Sequence, residues 1–189
     1  MKITAKMVGD LRARTGAGMM DCKKALTETN GDVDLAIQLL REKGLKASEG
    51  TVTSYIHPGS RVGVLVEINC ETDFVARTDE FQELAKNIAM QIAASKPTYL
   101  DRESVPADVI ESEKSILKQQ DDIQGKPEQI IEKIVEGRID KFFAEVCLTE
   151  QSYIKDNDKT IAEIVKEAVA KLGENIVINR FSLFVLGQT

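Results

Sequence analysis

The chain is poor in the residues that most catalytic and cofactor sites are built from. Histidine occurs once in 189 residues, at His57. A single histidine in a Pro-Gly turn is ordinarily structural or solvent-facing, and it leaves no acid/base pair to assemble. Cysteine occurs three times, at Cys22, Cys70 and Cys147. These are far apart and odd in number, which reads as reduced cytosolic thiols rather than a disulfide framework. There is no Cys-x-x-Cys pair, no His/Cys cluster with zinc spacing and no Walker-type loop. No apolar run approaches the roughly 20 residues of a membrane span, and Met1 to Lys6 lacks the apolar centre of a signal peptide. Aromatic residues make up only 5% and the net charge is −6, so a stacking platform and a basic surface for nucleic acid are both missing. No catalytic group, metal or cofactor is expected. The chain reads as cytoplasmic, with neither a nucleic-acid nor a membrane partner.

What is present is 42% hydrophobic residues, enough for a real core, with 30% charged. Residues 1–46 pattern as three short helices. Thr4 caps the first, with Met7, Val8 and Leu11 apolar. Thr15-Gly16-Ala17-Gly18 breaks it, and Ala25 and Leu26 face inward from the second. Asn30-Gly31 ends the second, Asp32 caps the third, Leu35, Ile37, Leu39 and Leu40 supply its apolar side, and Gly44 is its C′ residue. This unit carries +3 and the rest of the chain −9. Three helices of this length make a marginal core that needs outside support.

Residues 47–50 read as a linker and 51–189 as an α+β core. Thr51 to Ile56 and Val62 to Asn69 form a hairpin about His57-Pro58-Gly59-Ser60. Val62, Val64, Val66 and Ile68 alternate with polar residues, Leu65 excepted. A helix over 79–95 carries an apolar stripe of Phe81, Leu84, Ala85, Ile88, Ala89, Ile92 and Ala93, and Lys96-Pro97 stops it. A charged helix spans about 106–120, anchored by Val109, Ile110, Ile116 and Leu117. Gly125-Lys126-Pro127 opens another that runs to about Leu148. Gly137 inside that helix costs about 1 kcal/mol against alanine, which implies a close contact or a bend. Thr160-Ile161-Ala162-Glu163 is a capping box. Asn175 to Leu186 is a final strand that must return to the hairpin, giving about three antiparallel strands with helices on one face.

Two segments remain for function. Met19 and Met20 open the second helix, where paired methionines serve as core or as an adaptable contact surface; by position alone, core is favoured. Thr72-Asp73-Phe74-Val75-Ala76-Arg77 joins a strand to a helix, a place where loops carry function. By position alone Phe74 staples that helix to the sheet. Held out instead, the ring would contribute roughly 1.5–3 kcal/mol on leaving water in a complex. The two segments together suggest a protein that binds through two patches and changes no covalent bond.

Leu11-Arg12 with Thr15 to Leu26, and Val66 to Arg77, closely resemble the two signatures of bacterial elongation factor Ts. Ala93 to Pro97, Gly125 to Pro127, Ile134 to Arg138 and Leu148 to Gln151 extend the resemblance over nearly the whole chain. It implies a guanine-nucleotide exchange factor for the GDP form of elongation factor Tu, with a ubiquitin-associated-like helical domain followed by an α+β core. It makes Arg12, Met19 and Met20 contacts of the N-terminal domain. It makes Thr72, Asp73, Phe74 and Val75 the loop whose ring wedges between GTPase helices, displaces magnesium and loosens the phosphate site. A single core module puts the chain in the short class, whose members homodimerise, and the hairpin around Tyr55, Ile56 and His57 is the candidate partner or dimer contact. The segment Gly44 to Gly50 is short for the family. The competing readings are a ubiquitin-associated-type adaptor without exchange activity, a helix-turn-helix nucleic-acid binder and an acid/base enzyme. The long signatures, the acidity and the missing paired groups weigh against them in turn.

Overall fold

The computed structural model describes residues 3–15, 17–42 and 49–188; Gly16 and the stretch containing Gly44 lie outside them. In chain order the elements are α1 (Ala5–Thr15), α2 (Met19–Glu28), α3 (Val33–Glu42), β1 (Glu49–Ile56), β2 (Val62–Cys70) and the four-residue α4 (Asp73–Ala76). There follow α5 (Asp79–Ser95), α6 (Ala107–Lys118), α7 (Glu128–Val146), β3 (Ser152–Tyr153), β4 (Asp156–Thr160), α8 (Ile161–Leu172) and β5 (Val177–Val185). The class is α+β, as expected. The chain divides into two units, Met1–Met90 with Glu163–Thr189, and Gln91–Ala162.

In the first unit the three N-terminal helices share a core of Val8, Leu11, Cys22, Ala25, Leu26, Ala36 and Leu40. The capping residues act as their types dictate. Thr4 Oγ1 accepts from Met7 N at 3.3 Å, and Asp32 Oδ1 accepts from Asp34 N and Leu35 N, each at 3.0 Å. Leu35 was expected to face inward but is 53% exposed. Ala36 and Leu40, four apart, form the buried line of α3, and Leu35 falls beside it.

The sheet order is β1-β2-β5, all antiparallel, so β2 is central and the last strand does return to the hairpin. Val64, Val66, Ile68 and Cys70 form its buried face, while Leu65 points the other way and is 47% exposed. The first strand starts earlier than Thr51: Glu49 pairs with Cys70 and Gly50 with Asn69. Gly50 is required there. Its φ is +141°, and a Cβ would stand 2.1 Å from the carbonyl oxygen of Ile68.

The second unit is built around α6 and α7, which share a core of Val105, Leu117, Ile123, Val135, Ile139, Phe143 and Cys147. Arg102 lies over the Phe143 ring at 4.6 Å and bonds both Asp140 and Glu150. Of the expected anchors in α6, Leu117 is buried and Ile116 is exposed. The pair β3–β4 was not foreseen. Its strands have no apolar alternation; the first is pinned by buried Gln91, which donates to Ser152 O at 3.1 Å and accepts from Ile154 N at 2.9 Å.

A Cβ at Gly137 would meet nothing within 4 Å, so the close contact expected there is absent. Gly137→Ala should therefore raise stability by up to about 1 kcal/mol. Gly50→Ala should lower it by about 1–3 kcal/mol through backbone strain. Urea denaturation of the two variants checks both signs. A destabilised Gly137→Ala would mean that the helix is bent or crowded at that position.

Candidate functional site

The Thr72–Val75 loop leaves the end of β2 and folds at once into α4. Thr72 is extended (φ −129°, ψ 153°) and caps α4, its Oγ1 accepting from Val75 N at 3.4 Å. The far side is tied down as well. Thr78 Oγ1 donates to Val75 O at 2.8 Å, Gln82 Nε2 donates to Ala76 O at 2.6 Å, and Thr78 Oγ1 accepts from Phe81 N at 3.3 Å as α5 begins. Ala76 is buried beneath the turn. From this fixed stem Phe74 stands 80% exposed, so it is not a staple. Asp73 and Arg77 form an ion pair of 3.0 Å across one turn. Arg77 lies mostly in water and Asp73 is half-buried, so the pair is screened and contributes little to rigidity.

The firmest hold on the loop comes from more than one hundred residues away. Gly173 closes α8 with a φ of +82°, and the chain turns so that Glu174 reaches the end of β2. Glu174 Oε2 accepts from Glu71 N at 3.2 Å and from Thr72 N at 3.0 Å, and Oε1 accepts from Thr72 Oγ1 at 2.6 Å. Glu71 returns the contact, its Oε1 accepting from Asn175 N at 2.7 Å. Four hydrogen bonds thus join residues 71–72 to residues 174–175.

The same Glu71 carboxylate meets the N-terminal helices. Gly18 is buried at the start of α2, and a Cβ there would lie 2.7 Å from Glu71 Oε1, so any side chain would push that carboxylate aside. Burial raises the carboxyl pKa of Glu71, the bond from Asn175 N opposes that, and the neighbouring Asp21 and Glu174 carboxyls raise it further. Arg12 makes a second tie, its Nη2 donating to Val169 O at 2.8 Å in the last turn of α8. That carbonyl also accepts from Gly173 N at 3.0 Å. The support that the marginal helical core needs comes from these contacts.

Met19 and Met20 are 43% and 63% exposed, so the core reading of the methionines is overturned. The structure brings the start of α2 against Glu71, one residue before the Thr72 loop. The two patches read separately in the sequence therefore meet through that residue. Glu174 and Asn175 escaped sequence reasoning, because a glutamate after a helix-ending glycine looks like any solvated loop acid. Among the described residues, no group of three or more His, Cys, Asp or Glu side chains could hold a metal ion. Nor is any helix long and apolar enough to cross a membrane.

Comparison with known proteins identifies the family. The family model described as Elongation factor TS matches residues 2–188. Elongation factor Ts of Syntrophomonas wolfei subsp. wolfei is 60% identical over 195 residues, covering 98% of this chain and 91% of the relative. That of Desulforamulus reducens is 58% identical over 196 residues, covering 99% and 90%. That of Geobacter sulfurreducens is 55% identical over 197 residues, covering 100% and 91%.

The thiols bear on what chemistry is possible. Cys22, Cys70 and Cys147 are all buried and unlinked. Burial pushes the Cys22 pKa up, and pushes Cys70 and Cys147 to about 11, with Glu174 adding to the rise at Cys70 and Glu150 to that at Cys147. They stay protonated near neutral pH and are poor nucleophiles. The native protein should resist a thiol-specific disulfide reagent at pH 8, and all three thiols should react once urea unfolds it. Prompt labelling of the native chain would reveal a local opening at the labelled cysteine.

Proposed function

The chain belongs to the elongation factor Ts family, and from that premise we propose that it is a guanine-nucleotide exchange factor for elongation factor Tu in translation. The observation that carries the reading is Phe74, a large apolar ring held in water by a loop fixed at both ends. Exposure of such a ring on a rigid stem is best explained by a partner that buries it.

On this reading the factor binds the GDP form of the GTPase and forms or breaks no covalent bond. The helical domain over residues 1–46 grips the nucleotide-binding domain through Met19 and Met20, whose flexible thioethers suit an adaptable contact. Arg12 belongs to the same contact, and its bond to Val169 gives it the further task of holding the helices in place. The loop Thr72, Asp73, Phe74 and Val75 inserts its ring between GTPase helices. It stabilises a conformation in which magnesium and the backbone donors of the phosphate site coordinate GDP poorly. Factor and GDP are then mutually antagonistic, because linkage is reciprocal. The work is done in the cytoplasm.

The factor acts as a homodimer. The outer face of the sheet exposes Val52, Ile56, Leu65 and Phe184, and Ile56 pairs with Gly63, which faces Phe184 on the next strand. An apolar face of this kind suits association with its own copy.

Release of fluorescent GDP from elongation factor Tu should accelerate strongly when this protein is added. Phe74→Ala should reduce the maximal release rate by about 10–100-fold, with a smaller effect on complex affinity. A folded wild type that leaves GDP release unchanged would sink the exchange reading and leave the adaptor reading in its place. Light scattering should give a dimer mass for the wild type and a monomer mass for Phe184→Asp. A wild type monomeric at assay concentrations would remove the dimer.

A further inference from the structure

We infer that Glu174 is a positioning residue for exchange: its carboxylate sets the orientation in which Phe74 meets the partner. The inference rests on the exchange reading above and deepens it.

The geometry is specific to an acceptor at that place. The Thr72 hydroxyl must accept from Val75 N to cap α4, so its own proton points elsewhere. Glu174 Oε1 takes that proton at 2.6 Å. Glu174 Oε2 meanwhile takes the N–H groups of residues 71 and 72, the last donors before α4 begins. One carboxylate therefore fixes both the backbone entering the turn and the hydroxyl that caps it. Charge-assisted bonds of this kind are the strong ones. Remove the carboxylate and two backbone donors lose their partner, while the cap hydroxyl is free to rotate. With Phe74 80% exposed, packing does little to restore the direction of its Cα–Cβ bond. Its orientation is determined by its stem.

Three other features do not substitute for Glu174. The Cys70 thiol donates to Thr72 O at 3.2 Å, a weak bond that leaves the Thr72 N–H and hydroxyl without an acceptor. The Asp73–Arg77 pair is screened by solvent and lies past the cap. The Glu71–Asn175 bond holds the neighbouring backbone but does not reach Thr72. Glutamine at position 174 keeps a carbonyl oxygen for the backbone N–H groups, and its amide can donate to Thr72 Oγ1. It is thus the conservative replacement, and alanine the disruptive one.

The test compares Glu174→Ala, Glu174→Gln, Phe74→Ala and the double variant Phe74→Ala/Glu174→Ala. Fluorescent GDP release from elongation factor Tu is measured across factor concentrations, with thermal unfolding as the folding control. Glu174→Ala should lower the maximal release rate by about tenfold and move the half-saturating concentration less. Glu174→Gln should recover most of the rate. The double variant should be no slower than Phe74→Ala alone, because a residue that acts through the ring has nothing to position once the ring is gone. A wild-type maximal rate in Glu174→Ala overturns the inference, and so does a double variant that falls by the product of the two single effects. Amide hydrogen exchange supplies a readout that needs no partner. Thr72 and Val75 should lose protection in Glu174→Ala while β2 keeps its own; unchanged protection at Thr72 overturns the inference. If wild type does not release GDP at all, the exchange reading has failed and the role of Glu174 in exchange falls with it.

Discussion

The carboxylate of Glu174 and the amide of Thr72 lie on chain segments 102 residues apart, and the rest of the site depends on their meeting. The meeting is made possible by sheet register. Asn69 of β2 pairs with Val177 of β5, near the last rung of the ladder. The residues beyond that rung, 71–72 on one side and 174–175 on the other, can no longer pair backbone to backbone in the same way. Side chains take over, Glu174 receiving N–H groups from one segment and Glu71 receiving one from the other. The bracket thus continues the sheet in another form. The cost of closing so long a loop is already met by the β2–β5 pairing, so the bracket is local in effect.

The same few residues join the helical unit to the sheet. Val169 O accepts from Gly173 N and from Arg12, Gly173 turns the chain, Glu174 and Asn175 hold the loop, and Glu71 abuts Gly18. The electrostatics are unusual in that Asp21, Glu71 and Glu174 converge where the named contacts are backbone N–H groups and the Thr72 hydroxyl rather than a basic side chain. Burial and like charge raise the Glu71 pKa. The sign follows from linkage. Above the unfolded pKa the native state holds the Glu71 proton more tightly than the unfolded chain does, so ionising Glu71 at higher pH costs stability and protonating it as pH falls restores it. The contribution of Glu71 to stability is therefore greatest in mild acid, the reverse of a salt-bridged carboxylate.

Much of this was legible in the sequence, and the exceptions share a cause. The stripe of α5 is buried at all seven expected positions, and the alternation in β2 gives the right face, because both are periodic signals enforced by a core. Phe74 was ambiguous because the same composition serves a staple or a probe, and only the path of the chain after Ala76 decides between them. Met19 and Met20 failed as core residues for a similar reason: Cys22, Ala25 and Leu26 already fill the inner side of α2. Gly50 was read as linker because a glycine beside a weakly periodic run looks like a break, whereas the backbone of Ile68 demands it within a strand. Glu174 was invisible because its partners are distant in sequence and its own neighbourhood has no pattern.

On the exchange reading proposed above, a fixed direction for the ring is what would turn binding into exchange. A ligand shifts a conformational equilibrium only by the difference in its affinity for the two states. A phenylalanine on a slack loop could adapt to the GDP-holding and the GDP-releasing form of a GTPase alike, gaining affinity for both and shifting neither. A ring whose stem is bonded at Thr72 on one side and at Val75 and Ala76 on the other leaves the backbone in one direction, and only its own side-chain rotation can adapt it. It fits whichever form has room for it in that one direction. The methionines of α2 are the opposite kind of contact, exposed and flexible, suited to holding on while the partner changes shape. On that reading, a protein whose cysteines stay protonated near neutral pH and whose described residues form no metal cluster drives a reaction cycle by pairing a compliant grip with a rigid wedge.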